Sequence, residues 1–249
     1  IASAAVTIIQ PQILDLIVSS VTSSTCGFQN GGACVSVIGG VAPHVLTWND
    51  PFTTVGACIS NQYAGPYNVT VTDANGCSFT MPVIINAIVS PSIDSIIVTD
   101  VICAGDSNGT AEVFATGDSL ALPLTYQWED NGTPISSITF VSGLQGGTYT
   151  VMVTDNNGCV TSGIAVIFEP SPMASAIISS DDPSCFGVCN GSITVAVGGG
   201  TSPYAYLWIS NGQTTATATG LCTGTQIVSI TDDNGCTTIN SDSLIEPDL

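Results

Sequence analysis

The sequence has no lysine and no arginine. Its 249 residues include 19 acidic residues and one histidine, which gives a formal net charge of −19. Without cationic side chains the chain cannot clamp a phosphate group, form Lys or Arg salt bridges, or present the basic surface that binds nucleic acid. Trypsin-like proteases also find no bond to cleave. We therefore expect an acidic, well-solvated surface and no nucleic-acid partner.

Long apolar runs and the usual catalytic residue sets are missing as well. No apolar stretch approaches the roughly 18 to 20 residues of a membrane-spanning helix, and no charged signal-peptide region is present. We expect a mature or excised segment that does not insert into membranes. The lone histidine, His44, is poor provision for a Ser or Cys nucleophile. Four glutamates that could form a glycosidase dyad recur at no equivalent repeat position, so we expect no enzyme, no catalytic residues and no cofactor: Glu112, Glu129, Glu169 and Glu246.

What the sequence does contain is one module repeated three times. A tryptophan recurs every 80 residues, each five residues after a proline: Trp48, Trp128 and Trp208 follow Pro43, Pro123 and Pro203. Each copy has an Asn-Gly pair ahead of its proline, which we interpret as a turn. Each then closes on Thr-Asp-x-Asn-Gly-Cys, at residues 72–77, 154–159 and 231–236. A fixed period of this length indicates stacked structural units, and we predict modules at 10–88, 89–170 and 171–249.

Side-chain alternation predicts an all-β fold. Ile193 and Val195 would point to one side of a strand and Ser192 and Thr194 to the other, and Gly-containing turns cut such segments about every 8 to 12 residues. This pattern is typical of antiparallel immunoglobulin-like β-sandwiches. In the third module we predict strands at 173–180, 191–198, 203–209, 214–219, 225–231 and 237–245.

The aromatic residues fit the core of such a sandwich. Each tryptophan lies on strand C, where immunoglobulin-like domains bury a core tryptophan. Tyr67 and Tyr149 stand ten residues before the closing cysteine and are further core candidates, while Gln226 breaks that pattern in the third copy. Tyr204 and Tyr206 share a face with Trp208, which suits either the core or an exposed platform for stacking sugars.

Short joints and an additional N-terminal strand suggest continuity between modules. The joint Glu169-Pro170-Ser171-Pro172 is proline-rich and stiff, so we expect the modules to stack end to end as a rod. Residues 1–9 resemble the last strand of a module, such as residues 163–170. We interpret them as the last strand of a preceding module, or as a strand that completes a module in a neighbouring subunit.

The third copy carries the motifs of a known repeat family. Between Cys185 and Cys236 stand Cys-x-Gly, Asn-Gly-Ser-Ile-Thr-Val, Gly-Gly-x-x-Pro-Tyr-x-Tyr-x-Trp, Gly-Leu-Cys-x-Gly-Thr and Thr-Asp-x-Asn-Gly-Cys. These motifs resemble the SprB-type repeat of giant surface adhesins of gliding Bacteroidetes. The resemblance is good in the second copy and weaker in the first, where His44 replaces the aromatic residue after the proline. It implies a PKD-like immunoglobulin fold, type IX secretion and an adhesive or filamentous role, and it supplies no catalytic residues.

Ten cysteines at repeat-related positions indicate an oxidising, extracellular compartment. Cys34 and Cys58 are expected to face outward on neighbouring strands B and E. Cys189 and Cys222 are expected to meet at the end of the third module that carries the A–B and E–F turns. We predict a disulfide for each of these two pairs.

The remaining six cysteines allow two schemes. Pairing within each repeat would join Cys26 to Cys77, Cys103 to Cys159 and Cys185 to Cys236. Those positions lie at opposite ends of a sandwich, about 23 Å apart across a strand of about seven residues, whereas a disulfide needs Cα atoms within about 7 Å. Stacking instead predicts Cys26 with Cys159 and Cys103 with Cys236, and leaves Cys77 and Cys185 for modules outside the chain.

Two further kinds of site are weaker. The aspartates of the F–G turns are candidate Ca²⁺ ligands, or else bond their own turn backbone: Asp73, Asp155, Asp232 and Asp233. Asp-Ser-aliphatic triplets resemble the Bacteroidetes O-glycosylation motif at Ser95, Ser119 and Ser243.

The sequence thus favours a structural and adhesive segment of a secreted bacterial surface filament, rigidified by disulfides and resistant to proteases. One alternative is a self-polymerising filament subunit joined head to tail by strand exchange or inter-subunit disulfides. A second is a set of carbohydrate-binding modules of an extracellular enzyme. The expected partners are neighbouring repeats or identical subunits, and surface glycans.

Overall fold

The computed structural model describes residues 10–248. Residues 1–9, on which the interpretation of a strand from another module rests, lie outside the described residues. Strands and turns make up the described part, and it contains no helix, so none that could cross a membrane. The structure confirms the all-β prediction.

The first strand set follows the order of an immunoglobulin-like sandwich. Its strands are β1 (Asp15–Thr22), β2 (Ser24–Thr25), β3 (Gly31–Ile38), β4 (Val45–Trp48), β5 (Cys58–Gln62), β6 (Gly65–Thr72), β7 (Ser78–Ile85) and β8 (Ala87–Ile88). One sheet has the order β1-β3-β5 and the other β4-β6-β7, while β2 and β8 form a short parallel pair. These sheets correspond to strands A-B-E and C-F-G.

The third strand set has the same plan. Its strands are β16 (Ala174–Asp181), β17 (Gly191–Gly198), β18 (Ala205–Trp208), β19 (Thr217–Leu221), β20 (Gly224–Thr231) and β21 (Thr237–Leu244). They pair as β16-β17-β19 and β18-β20-β21. These strands lie within about three residues of the predicted ones, as expected for boundaries read from side-chain pattern.

The second strand set contains one additional hairpin strand. Its strands are β9 (Ser92–Thr99), β10 (Gly109–Thr116), β11 (Thr125–Asp130), β12 (Thr133–Ser136), β13 (Phe140–Leu144), β14 (Gly147–Thr154) and β15 (Val160–Ile167). The sheets have the orders β9-β10-β13 and β12-β11-β14-β15. All three sets therefore repeat the A-B-E and C-F-G order, which is the tandem immunoglobulin-like fold.

Burial repeats with the sequence. The B strands β3, β10 and β17 have the same residue-by-residue alternation of buried and exposed positions. All three tryptophans are at most 1% exposed, as predicted for strand C. In the first set, Trp48 packs among residues from both sheets, including Val35 and Ile59 on one and Val69 and Val83 on the other. Because each side of a strand faces either the core or solvent, the period of two places every apolar residue of that side in the core.

The Asn-Gly pairs stand where a turn ends and strand B begins, and do not themselves form hairpin turns. In each set the glycine is the first strand residue, at Gly31, Gly109 and Gly191. A Cβ atom on any of them would lie 2.6 to 2.8 Å from a side chain of strand G and 2.9 to 3.1 Å from a carbonyl oxygen of strand E. The glycine is thus required by close packing.

By contacts, the described residues fall into two compact units. The first contains the first strand set with Phe114–Tyr126 and Met152–Ser162, and the second contains the third strand set with Ser95–Val113 and Gln127–Val151. The second strand set contributes to both units. The three module boundaries therefore stay a prediction.

Candidate functional site

The closing motif of each repeat forms a loop organised by its aspartate. We call residues 73–77, 155–159 and 232–236 the F–G loops. In each, Oδ1 of the first aspartate accepts hydrogen bonds from the N–H groups two and four residues later, at 2.8 to 3.0 Å. Oδ2 of Asp73 accepts from Val41 N at 3.1 Å and Oδ2 of Asp232 from Thr201 N at 2.9 Å. The carboxylate thereby fixes the position of the following cysteine.

These hydrogen bonds stabilise the charged form of two of the aspartates. The N–H of Thr201, with those of Cys236 and Asn234, outweighs burial and lowers the pKa of Asp232 below its usual value. Burial raises the pKa of Asp73, but the N–H groups of Cys77, Val41 and Asn75 more than offset it, so this pKa is also lowered. Both loops are therefore built around an ionised carboxylate.

The second F–G loop differs at one atom. Ala121 occupies the place of Val41 and Thr201, but its N–H bonds to the carbonyl of Asp118 at 2.9 Å. As a result Oδ2 of Asp155 is buried without a hydrogen-bond partner. Within residues 10–248, no cluster of three or more His, Cys, Asp or Glu side chains is suited to a metal. Asp73, Asp155 and Asp232 instead bond the backbone of their own turns, which is the alternative to Ca²⁺ binding given in the sequence analysis. Asp233 is exposed and bonds Thr201 O only through its backbone N–H.

The turns before strand B form the second half of the site. We call residues 25–30, 102–108 and 184–190 the A–B turns, which carry Cys26, Cys103 and Cys185. In each, the N–H of the residue before the cysteine bonds the side chain of an asparagine, at 2.9 to 3.1 Å: Thr25 to Asn30, Ile102 to Asn108 and Ser184 to Asn190. The three turns are therefore held by the same contact.

Two glutamates brace these turns, and the sequence interpretation missed their equivalence. Oε1 of Glu169 accepts from Gly105 N at 2.6 Å, and Oε2 of Glu246 accepts from Gly187 N at 2.7 Å. Glu169 and Glu246 therefore occupy equivalent repeat positions, and the expectation that they do not is wrong. Each stands ten residues after the F–G cysteine and directly before a proline, a spacing that would have revealed them.

Disulfides join the A–B turn of one repeat to the F–G loop of the next. Cys26 bonds Cys159 with Cα atoms 5.2 Å apart, and Cys103 bonds Cys236 with Cα atoms 5.7 Å apart. Both links span 133 residues. These are the pairs that the stacking scheme gives.

The within-repeat scheme is contradicted. The structure does not join Cys26 to Cys77, Cys103 to Cys159 or Cys185 to Cys236, since four of these six cysteines have partners in other repeats. Cys77 and Cys185 are unpaired and exposed. The reason is the one anticipated: each A–B turn and its own F–G loop are separated by the length of strand B.

Two further disulfides lie within single repeats. Cys34 and Cys58 are register partners on β3 and β5, with Cα atoms 4.1 Å apart. Cys189, two residues before β17, bonds Cys222, which lies in the turn between β19 and β20, with Cα atoms 4.0 Å apart. Each closes a short loop within its own repeat.

The second junction includes hydrogen bonds as well as the disulfide. Asn234 Nδ2 donates to the carbonyl of Ile102 at 3.3 Å and to Oγ1 of Thr201 at 3.1 Å. Cys236 Sγ lies 3.6 Å from the same carbonyl of Ile102. Beside it is a cleft of about 420 Å³ lined by Cys103, Ala104, Asp106, Pro172, Met173, Gly235, Cys236 and Thr237.

The aromatic candidates pack inward. Tyr204 and Tyr206 are half-buried against the core of the third set, and the Tyr204 hydroxyl donates to Gly199 O at 2.6 Å. In the first set His44 takes the place of Tyr204, and its Nε2 donates to Gly39 O at 3.1 Å. This accounts for the aromatic-to-histidine replacement, because both side chains reach the same Gly-Gly carbonyl.

Strand F carries a corner contact in all three sets. The hydroxyls of Tyr67 and Tyr149 each donate to the carbonyl four residues earlier, at 3.1 Å. Gln226, which breaks the tyrosine pattern, donates from Nε2 to Cys222 O at 3.0 Å, again four residues earlier. Tyr149 is buried and Tyr67 partly buried. All three repeats therefore make the same hydrogen bond to the carbonyl four residues earlier, although the third uses a glutamine in place of a tyrosine.

The glycosylation candidates are all exposed. Ser95 lies on β9, Ser119 in the loop after β10, and Ser243 on β21. The hydroxyl of Ser243 is shared with Thr225 Oγ1 at 3.1 Å. Exposure makes the three sites accessible and leaves their modification a prediction.

A comparison with protein families finds a match in two parts of the chain. A family model described as the SprB repeat matches residues 95–133 and 177–214, in the second and third strand sets. No curated protein sequence matches the chain.

Several solved multi-domain structures are similar to this chain at low identity. A three-domain I-band fragment from titin is 12% identical over 97% of this chain and 100% of that one, with a TM-score of 0.45. Three N-terminal domains of the outer capsid protein Hoc of bacteriophage RB49 are 13% identical over 94% and 100%, with a TM-score of 0.42. The eight N-terminal domains of Down syndrome cell adhesion molecule are 11% identical over 94% and 36%, with a TM-score of 0.47.

Proposed function

We propose that the chain is a structural and adhesive segment of a secreted bacterial surface filament. The proposal starts from the match to the SprB repeat and from the tandem immunoglobulin-like fold. SprB repeats occur in surface proteins, and four disulfides suit an extracellular protein. Gliding Bacteroidetes and type IX secretion are the source and route that the family likeness supports. Such repeats and folds are typically structural, and we assign the chain no catalytic role.

The observation that carries this proposal is the pair of disulfides between successive repeats. Cys26–Cys159 and Cys103–Cys236 give a pulling force a covalent path that leaves residues 27–102 and 160–235 outside the line of force and keeps residues 103–159 within it. Because this path leaves most of the chain outside the line of force, the oxidised chain can extend to only about two-fifths of the reduced length, at roughly 3.5 Å per residue. Under load, therefore, only the two ends and residues 103–159 could unravel.

The acidic surface supports the same role. With a net charge of −19 and no basic residue, copies repel one another, and trypsin-like proteases have no site even in an unfolded repeat. Protease resistance is thus proposed as a property of composition together with the disulfides. Neighbouring repeats are the proposed partners along the filament, and surface glycans are the proposed targets of adhesion.

Localisation tests this proposal. An antibody against the purified chain should label intact, unpermeabilised cells of the source organism, while an antibody against a cytoplasmic enzyme should not. Labelling that requires permeabilisation would refute a surface role. Binding to a glycan array would support the adhesive part, and an array without signal would restrict the proposal to the structural role.

A further inference from the structure

The unpaired Cys77 and Cys185 each belong to one half of a junction that the chain forms twice elsewhere. Each formed junction joins an A–B turn to an F–G loop, over the same separation of 133 residues. The first F–G loop, with Cys77, and the third A–B turn, with Cys185, have no partner of this kind among the described residues. Both cysteines are exposed, whereas Cys159 in a formed junction is 1% exposed.

The free F–G loop already has the conformation of a joined one. Oδ1 of Asp73 accepts from Asn75 N and Cys77 N, both at 2.9 Å. In the joined loop Oδ1 of Asp232 makes the same two bonds, at 3.0 and 2.8 Å. Asn75 is thus the counterpart of Asn234, whose side chain donates across the second junction, Cys103–Cys236, to Ile102 O.

A cleft beside this free loop corresponds to the one at the formed junction. It measures about 220 Å³ and is lined by Ile13, Leu14, Gly40, Asp73, Asn75 and Cys77 among others. At the formed junction the A–B turn residues Cys103, Ala104 and Asp106 complete the cleft wall. No A–B turn lines the cleft at Cys77, and the neighbouring Ile13 side chain is 85% exposed.

The free A–B turn is preformed as well. Ser184 N bonds Asn190 Oδ1 at 2.9 Å, and Gly187 N bonds Glu246 at 2.7 Å. Val188 N bonds Cys185 O at 3.2 Å. The joined turn that carries Cys103 has the same three contacts, from Ile102, Gly105 and Asp106. Because neither half must rearrange, docking loses little conformational entropy.

We propose that the Cys185 turn of one copy docks on the Cys77 loop of a second copy and that the two cysteines form a disulfide. In this contact Asn75 Nδ2 donates to the carbonyl of Ser184, as Asn234 does to Ile102. The contact is heterologous, so it repeats head to tail and generates linear polymers. The inference rests on the proposed filament role and names its partner as an identical chain.

Bond formation requires a small-molecule disulfide such as oxidised glutathione. One cysteine thiolate attacks this disulfide, forming a mixed disulfide and releasing one small thiol. The thiolate of the docked partner then attacks the cysteine sulfur of the mixed disulfide, forming Cys77–Cys185 and releasing the second small thiol. Two protein thiols are oxidised and one small disulfide is reduced.

Complementary single variants test the pairing. Cys77→Ser and Cys185→Ser are purified separately and treated with a glutathione redox buffer at about 0.15 M salt, where charge repulsion between copies is screened. Non-reducing gels should show monomer for each variant alone, disulfide-linked dimer for the mixture, and a ladder of multimers for the unaltered chain. Monomer in the mixture, or equal dimer in each variant alone, would overturn the proposal. Either outcome leaves surface labelling of cells unaffected, so the proposed function is judged separately.

Asn75 provides a second measurement. Asn75→Ala in the Cys185→Ser background should slow dimer formation with Cys77→Ser about fivefold, through loss of one hydrogen bond across the contact. The matched control is Asn86→Ala, a change at an exposed asparagine outside the cleft, which should form dimer at the unaltered rate. Equal rates for Asn75→Ala and Asn86→Ala would show that the docking geometry is not that of the formed junction.

Discussion

Two glycines on the same strand should respond oppositely to a methyl group. A Cβ atom on Gly191 would lie 2.8 Å from Leu244 Cδ1, 3.0 Å from Asp181 O and 3.1 Å from Leu221 O. The two carbonyls belong to β16 and β19, which are hydrogen-bonded on either side of β17, and Leu244 is 2% exposed. None of the three can move freely, so we expect Gly191→Ala to destabilise the third set by about 2 kcal/mol through overpacking.

Gly198, at the other end of β17, is the control. It is exposed and has no atom within 4 Å of the Cβ position, so Gly198→Ala should stabilise the fold by about 0.5 kcal/mol by reducing the freedom of the unfolded chain. Hydrogen exchange of β20 amides, read on pepsin peptides, reports the local opening free energy. Exchange should accelerate about 30-fold for Gly191→Ala and should not accelerate for Gly198→Ala. Similar effects of the two changes would refute the packing argument.

Three further predictions concern the contacts that recur between repeats. Tyr149→Phe removes the hydroxyl that donates to Gln145 O, and the free energy of unfolding in urea should fall by about 1 kcal/mol; an unchanged value would mean that the corner contact contributes nothing. Asp232→Asn should destabilise the third set above about pH 5, and the difference from the unaltered chain should shrink as the pH falls below about 4. The sign follows from the lowered pKa of Asp232: its stabilising effect is present above the unfolded-state pKa and is lost as the pH falls through the folded-state pKa. A difference that is constant from pH 6 to pH 2.5 in urea titrations would contradict this account. Cys103→Ser combined with Cys236→Ser should lower the urea midpoint, since a link over 133 residues restricts the unfolded chain by up to about 5 kcal/mol, whereas Cys77→Ser combined with Cys185→Ser should leave the monomer's midpoint unchanged.

Features set by side-chain alternation could be predicted from the sequence. The period of two over residues 191–198 predicts both ends of strand B correctly. The tryptophan after the proline lies on strand C as expected. Both patterns depend only on which side of a strand meets the core. The junction disulfides could also be predicted from the sequence. The full length of strand B separates the two cysteine positions within one repeat, which is too far for a disulfide, so pairing between repeats is favoured.

Features that depend on a particular hydrogen-bond partner could not be predicted in the same way. Gln226 appeared to break a pattern, yet its Nε2 reaches the carbonyl that a tyrosine hydroxyl would reach. The Asn-Gly pairs resembled turns, whereas the glycine is required by strands E and G, which are distant in sequence. Trp128 lacks the indole hydrogen bond that Trp48 makes to Gly56 O, in a set where β11 and β12 form an additional hairpin. Each of these depends on a residue that is far away or of a different type.

The central claim is that disulfides connect one repeat to the next, and a disulfide map tests it most directly. The chain is alkylated without reduction, digested with pepsin because trypsin has no site, and analysed by mass spectrometry. We predict linked peptides containing Cys26 with Cys159 and Cys103 with Cys236, with Cys77 and Cys185 alkylated in the monomer. A linked peptide containing Cys103 and Cys159 would contradict the account, because it would close each repeat on itself.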